Sequence, residues 1–523
     1  MGLTDTSVEA PGPTGDARGG RLRRLMHGWS ANLVQMLLGL TQQLLLIPAF
    51  LHFWNGETLA AWLAIYAAGS LIIVADSGLQ LRAINRFLAF KSCADCDGRT
   101  ASYYARMLRI YFGVVTVLGV LVLLAAAIAP PSAVLGFHAT PTFDSALLVM
   151  TLGMLMTLPA NLVSGLYRAR GKYGRTVWLQ NGTLLLAQIA ELVAIAVFGS
   201  LLAVAIAFVS MQIVFAVFLI AGDAPRLFPF LRHGRSHRAP ASWRWRVGQF
   251  GRAFPFAVAN LTELALVNVP VLLVSALVAD RVAVAQWGLT RVIASLVRGL
   301  SLQATVPLAA ELGHDYAVGD TERLRRLYAH GSVLVTVVAA LIVAGLLPFW
   351  SDFFALWTHG SIPYDGPLAI TLLLGSAAVA PSLLALVFAN HSNRGDLLVR
   401  TKGLQLVVFL LLCLVLIPRY GPLGAAIAMV VSDLGIQFGM LALVVMAQTL
   451  RHPVRHVAFL AFAAVVILTV GWGLGAIITT WLPGRGLAHF LIECALWLLV
   501  IGLLAGPLLN GRLRDRLRAL VPA

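Results

Sequence analysis

The sequence predicts an all-α protein that crosses a membrane many times, and three observations lead there. Hydrophobic residues make up 59% of its 523 positions and charged residues only 11%, with a mean hydropathy of +0.86. A water-soluble fold cannot hide that much apolar surface. The apolar residues are gathered into fourteen runs, read with a window of about 19 residues, the scale of a helix crossing about 30 Å of hydrocarbon. Parts of the chain also repeat at a fixed distance.

Taken in order, residues 1–28 are rich in Gly, Pro and Thr at their start and read as a disordered cytoplasmic tail. Six spans follow at 29–53, 58–80, 107–129, 145–166, 176–198 and 201–221, forming a first lobe over 29–222. Residues 223–252 read as the cytoplasmic link between lobes, with Trp243-Arg244-Trp245-Arg246 an amphipathic segment at the interface. Six more spans, 253–278, 282–305, 331–350, 367–389, 403–417 and 422–449, form a second lobe over 253–450. A last pair, 457–481 and 488–509, lies with a basic tail in 451–523. Short connections such as Asn55-Gly56-Glu57 and Pro483-Gly484-Arg485 fit helical hairpins. The first apolar run is too long for a cleavable leader and no small-residue cleavage site follows it.

The net charge of +16 is explained by topology. Among the lysines and arginines, Arg281, Arg419 and Arg485 fall on one side, Arg291 and Arg298 fall within a span, and the rest occupy the tails and alternate loops. The positive-inside rule then puts both termini in the cytoplasm of a cell with this protein in its inner membrane. That distribution also removes nucleic acid as a partner. Cys93 and Cys96 have metal-ligand spacing but no second pair, so no metal site is expected. With Cys413 and Cys494 in spans, no disulfide framework is expected either.

The repeat runs at an offset of 222 residues. Pro141 matches Pro363, Pro159 matches Pro381, Gly199 matches Gly421 and Ser210 matches Ser432. Each unit carries six spans, so both share one orientation, as two parallel lobes about an axis along the membrane normal with cargo between them.

Four stretches carry a family resemblance: WLAIYAAGSLIIVADSGLQLRAINR (62–86), GLYRARGKYGR (165–175), AVGDTERLRRL (317–327) and LIPRYGPLGAAIAMVVSD (416–433). Together they resemble the Wzx-like polysaccharide flippases of the MOP (multidrug/oligosaccharidyl-lipid/polysaccharide) exporter superfamily, over roughly residues 29–450. The resemblance implies alternating-access transport of an undecaprenyl-diphosphate-linked oligosaccharide across the cytoplasmic membrane. The product would be O-antigen, capsule or exopolysaccharide, and polymerase or export machinery would be partners beside membrane lipids. No SR-x-L-G-F-x-R-D segment of the lipid II flippase type is found in the first span. A cation-coupled multidrug exporter of the same superfamily is the other transport reading. An enzyme is disfavoured because the outer loops are short, and no Walker A segment would power an ATP-driven pump.

Arg291 and Arg298 are the candidate substrate residues. An arginine at helix centre costs roughly 2.5–3.5 kcal/mol on insertion scales, so it needs a cavity and an anion. Seven residues apart, the two project from one helix face, and planar guanidinium suits the oxygens of a diphosphate. Glu263, about as deep in the seventh span, is expected to neutralise Arg291 and to take a proton or Na⁺ when cargo displaces it. Asp433 is the second ion-coupling candidate, and Glu191 a weaker one without an obvious cation. Asn32, Gln35 and Gln42 in the first span and Asn260 in the seventh are expected to bind sugar hydroxyls. Asp76 is expected to anchor a turn with Arg82. Trp54, Trp62, Trp287, Trp357 and Trp481 read as an aromatic belt, with Trp287 a candidate for stacking on sugar. Gly435/Gly439 and Gly471/Gly475 read as close helix contacts. No cofactor is expected beyond a coupling ion.

Overall fold

A computed structural model describes residues 15–90, 98–233, 242–392, 395–482, 484 and 486–506. Some side chains inside helices, including those of Asn32 and Gln43, lie outside the described residues, as do Cys93, Cys96 and the basic C-terminal tail. Among the described residues there is helix and no strand.

The first half begins with α1 (Gly15–Phe53), which starts inside the stretch expected to be a tail. The second span is broken: α2 (Gly56–Ile72) passes through a 3₁₀ turn, Ile73–Ala75, into α3 (Ser77–Phe90). Asn55 starts α2 by accepting a hydrogen bond from the Thr58 amide at 2.8 Å, satisfying one of the free amides of a helix N-terminus. Then come α4 (Arg99–Ile128), short α5 (Pro131–Leu135), α6 (Phe143–Ala169) and α7 (Tyr173–Phe198). The sixth span joins α8 (Leu201–Val217), a π-helical segment Phe218–Asp223 and α9 (Ala224–Leu227), with α10 (Phe230–His233) after it.

The second half opens with α11 (Trp243–Leu277), so Trp243-Arg244-Trp245-Arg246 is its first turn and not a separate segment. It continues with α12 (Val282–Val318), α13 (Thr321–Leu346) and α14 (Trp350–Trp357). The tenth span is α15 (Gly366–Val379) and α16 (Pro381–His391), bent by 49°. Pro381 has no amide hydrogen for the preceding turn, which places the bend. Next are α17 (Gly395–Tyr420), α18 (Pro422–Ser432), a π-helical segment Asp433–Ala442, and α19 (Leu443–Thr449). The last pair is α20 (Pro453–Trp481) and α21 (Leu487–Ala505).

Among the described residues twelve helices are long and apolar enough to cross a membrane, thirteen with the bent pair. The difference from fourteen is α12. It has 37 residues, length to spare at 1.5 Å per residue, but Gln286, Arg291 and Arg298 dilute its apolar character.

Helices of each half pack mainly on one another: α6 on α8, α7 on α1 and α8, α11 on α17, and α12 on α13, α15 and α16. The halves meet where α2 and α3 lie against α11 and α12, while α20 packs on α13. The same crossing recurs in both halves. Gly153 of α6 faces Val209 of α8, and Gly375 of α15 faces Val430 of α18, each so closely that a Cβ would collide with the valine. The two glycines are again 222 apart. Gly199, ending α7, is left-handed helical with φ 62° and ψ 3°, whereas Gly421, ending α17, has φ 57° and ψ −134°, and both backbone regions suit glycine because it has no Cβ.

The tryptophan belt is corrected. Trp54, Trp62, Trp287 and Trp357 are buried, and of the five only Trp481 stands out, 83% exposed. Trp54 Nε1 donates to the Gly199 carbonyl at 2.7 Å and Trp357 Nε1 to the Leu44 carbonyl at 2.8 Å. These rings tie helices together, and fully buried Trp287 has no face to offer a sugar. Gly471 and Gly475 do pack closely, on Ala344 and Pro348. Gly435 and Gly439 meet no neighbouring helix; they belong to the π-helical segment.

Candidate functional site

Four charged side chains meet inside the second half. Arg298 of α12 donates through Nη1 to Asp433 at 3.0 Å and through Nη2 to Glu263 at 3.1 Å. Lys402 of α17, 1% exposed, donates to the other Glu263 oxygen at 2.5 Å. The remaining Asp433 oxygen accepts from Gln405 Nε2 at 2.5 Å. Gln437 Oε1 accepts from Lys402 Nζ at 2.5 Å and Arg298 at 3.3 Å, while its Nε2 donates to Ser382 Oγ at 2.7 Å. Two cations face two anions, and every carboxylate oxygen has a donor. That is the condition under which charge is tolerated away from water.

The sequence builds this cluster locally. Lys402 and Gln405 are one turn apart on α17 and therefore share a face. The wide π-helical turn that begins at Asp433 lets Asp433 and Gln437 reach the same arginine. Five spans contribute, so the cluster fixes their register.

The cluster is not sealed. Arg298, Glu263 and Asp433 form one wall of a cavity of about 340 Å³ whose other walls, from α11, α12, α15, α16 and α18, are mainly apolar. Side-chain exposure is 22% for Arg298 and 37% for Glu263, against 6% for Asp433. The outer members of the cluster can therefore meet a ligand, and the inner ones hold them.

Arg291 lies elsewhere. The expected Glu263–Arg291 pair is not formed, because Glu263 is held by Arg298 and Lys402. Seven residues advance a helix about 10.5 Å, enough to change its neighbours. One turn before Arg291, Gly288 packs on Leu63 of α2, and Tyr66 of α2 is within electrostatic reach of Arg291. Arg291 thus sits where the halves meet. It is partly exposed, has no hydrogen bond or ion pair to a described residue, and its buried Nε has no acceptor. Tyr66 is also within reach of Glu191 of α7, a 1% exposed acid whose Oε1 has no partner.

A second cavity, of about 280 Å³, lies between α1, α3, α6, α7 and α11 and is lined with amides, among them Gln35, Gln80, Asn161, Gln180 and Asn260. It brings the candidates Gln35 and Asn260 together; Gln42 lines neither cavity. Asn32 falls outside the described side chains. Asp76 also borders this cavity, and its partner is the Tyr111 hydroxyl, not Arg82. No group of three or more metal-binding side chains occurs among the described residues.

Lys402, Gln405, Gln437 and Ser382 were missed in the sequence. The span read at 403–417 has 15 residues, too few for about 30 Å, and extending it backwards would have drawn Lys402 into the membrane. The neutral glutamines gave no comparable signal.

No family model and no curated protein matches the chain. Solved structures do. A lipid II flippase MurJ in an inward closed conformation superposes with a TM-score of 0.70 at 11% identity, over 92% of this chain and 99% of that one. An inward-facing multidrug resistance MATE family transporter of the MOP superfamily gives 0.62 at 14% identity, over 82% and 98%. The chain has the fold of MOP superfamily transporters.

Proposed function

We propose that this protein is a flippase that carries an undecaprenyl-diphosphate-linked oligosaccharide across the cytoplasmic membrane for O-antigen, capsule or exopolysaccharide synthesis. Alternating access would come from rocking of the first half against the second about the connection before α11, which shortens the expected linker 223–252, with both termini cytoplasmic. The observation that carries the reading is Arg291. It is a guanidinium between the halves with no carboxylate bound to it, which invites an anion and repels a cationic drug in a low-dielectric cavity. The amide-lined cavity with Gln35 and Asn260 would receive sugar hydroxyls.

The charged cluster supplies the coupling. Its own lysine and arginine balance Glu263 and Asp433, so Na⁺ has no charge there to neutralise. An anionic cargo entering the cavity would compete with Glu263 for Nη2 of Arg298, and Glu263, once displaced from its two cations, would take up a proton, turning a satisfied cation into a second anion station. Transport is therefore expected to follow a proton gradient and to be indifferent to Na⁺. A Na⁺ requirement, or an unchanged pH dependence in Glu263→Gln, would overturn this coupling.

The cargo is tested by polymer export in a deletion strain, with variants at matched membrane levels. Arg291→Ala should abolish export and Arg291→Lys restore part of it, since lysine keeps the charge but loses bidentate geometry. Full export with both would remove the anion station. The superposition on a lipid II flippase favours that cargo as a second reading. Rescue of a strain depleted of its lipid II flippase, without rescue of polymer export, would select it.

A further inference from the structure

At the end of the bundle where α3, α4 and α11 converge, a second positively charged basin has no part in the transport path described above. It has a volume of about 520 Å³ and is lined by Arg86, Arg99, Arg106 and Arg252, with Trp245 and Gln249. No acidic side chain lines it among the described residues. Arg82, just beyond, is within electrostatic reach of Arg86 and Arg252, both of its own sign. Like charges gathered near a membrane repel strongly, and Arg82, Arg86, Arg106 and Arg252 form no ion pair with a described residue.

Several polar atoms at this end of the bundle make no hydrogen bond to a described residue. The Nε atoms of Arg82 and Arg106, the Tyr103 hydroxyl and Oε1 of Gln249 are buried with no partner among the described residues. Gln249 is only 3% exposed. Aromatic rings hold the donors in place: Arg106 lies over Trp245 at 6.0 Å, and Trp245 meets Tyr103 edge-on at 6.1 Å. Three rigid helices therefore present guanidinium groups around one polar hollow.

The neighbouring surface identifies the ligand's other half. On α11, residues 245, 249 and 252 face the basin, while Trp243, Val247, Phe250 and Phe254, spaced at helical intervals, are 75%, 49%, 43% and 61% exposed. Tryptophan at the end of a span is a residue of the membrane interface, and exposed phenylalanine on the same face suits contact with acyl chains. An anion docked in the basin would have an apolar helix face beside it for hydrocarbon chains.

We propose that this basin binds the phosphate headgroup of an anionic phospholipid from the surrounding leaflet. Because Arg86 and Arg106 belong to the first half and Arg252 to the second, the phosphate bridges the halves and favours the state in which they touch here. They do touch: Gly78 of α3 lies so close to the Ala253 carbonyl that a Cβ would collide with it.

The test uses the full-length protein in phosphatidylcholine nanodiscs and reads lipid retention by native mass spectrometry together with thermal stability. Three additions are compared: phosphatidylglycerol, extra phosphatidylcholine and soluble pyrophosphate. Phosphatidylglycerol alone should be retained and should raise Tm, because a ligand of the folded state stabilises it. Arg106→Gln and Arg252→Gln should each weaken retention about tenfold, the loss of a charge-assisted hydrogen bond. Arg109→Gln, on the same α4 but outside the basin, should leave it unchanged. Equal effects of all three substitutions, or a Tm rise with pyrophosphate matching that with the lipid, would overturn the proposal. The first would mean diffuse attraction and the second a soluble phosphate ligand. If a basin variant does not fold, loss of retention by the wild type at raised ionic strength, with phosphatidylcholine unaffected, supports the proposal, and salt-independent retention overturns it.

Discussion

The two halves of this protein share a framework and differ in what they bury. Both cross their fourth and sixth spans at a glycine against a valine, both end the fifth span on a glycine of positive φ, and both carry a π-helical segment in the sixth. At the offset of the repeat, however, the charged cluster has no counterpart. Lys402 corresponds to Gln180, Gln405 to Thr183, Asp433 to Met211 and Gln437 to Phe215, while Glu263 corresponds to Thr41. In the register that pairs Gly78-Leu79 with Gly299-Leu300, an offset of 221, Arg298 corresponds to Ser77. The first half puts its buried acids elsewhere. Asp76 accepts from Tyr111, and Asp223 accepts from Tyr167 at 2.5 Å and from Arg175 at 2.6 and 3.0 Å. Duplicated packing is thus independent of duplicated chemistry: helix crossings need small residues at a few points, and a charged core needs all its members at once.

The comparison is broken most forcefully at Lys402. Lys402→Ala should destabilise the protein by about 3–5 kcal/mol, the usual effect of leaving a buried charge network unbalanced. Gln180→Ala at the matching place should change stability by less than about 1 kcal/mol. Thermal unfolding of the purified protein in detergent measures both, and similar losses would mean that Lys402 acts only by packing. The crossings sharpen the likeness. Gly153→Ala and Gly375→Ala should each cost about 1–3 kcal/mol by overpacking, and a large loss at one alone would make the crossings unequal. Smaller again is Gly199→Ala, about 1–2 kcal/mol for forcing a Cβ into the left-handed region. The smallest effect is expected at Arg291. With no partner to lose, Arg291→Ala should stay within about 0.5 kcal/mol of wild type while export fails. A loss above about 2 kcal/mol would make it a structural residue.

Much of the fold was legible because lipid punishes irregular backbone, so apolar runs map onto helices. Span limits failed where polar residues enter a helix: α11 begins at Trp243 instead of 253, and α17 at Gly395 instead of 403. The site was legible by composition and not by pairing. Arg298, Glu263 and Asp433 stood out as charges in apolar surroundings. Their partnership depends on which helices touch, and pairing Glu263 with Arg291 assumed the shortest connection in sequence. The contact of α17 with α11 decided otherwise, through a lysine that looked like a loop charge.

The charged cluster also bears on how the chain enters its membrane. The helix α12 is the least apolar of the long spans, and a translocon would not release it readily into lipid by its own partition energy. Glu263 has already been made when Arg298 emerges, but Asp433 follows 135 residues later. At about 5–20 residues per second, Arg298 waits on the order of ten seconds for its second carboxylate. During that interval Glu263 of α11 is the one carboxylate of the cluster already made, so the cluster closes only after most of the second half has been synthesised.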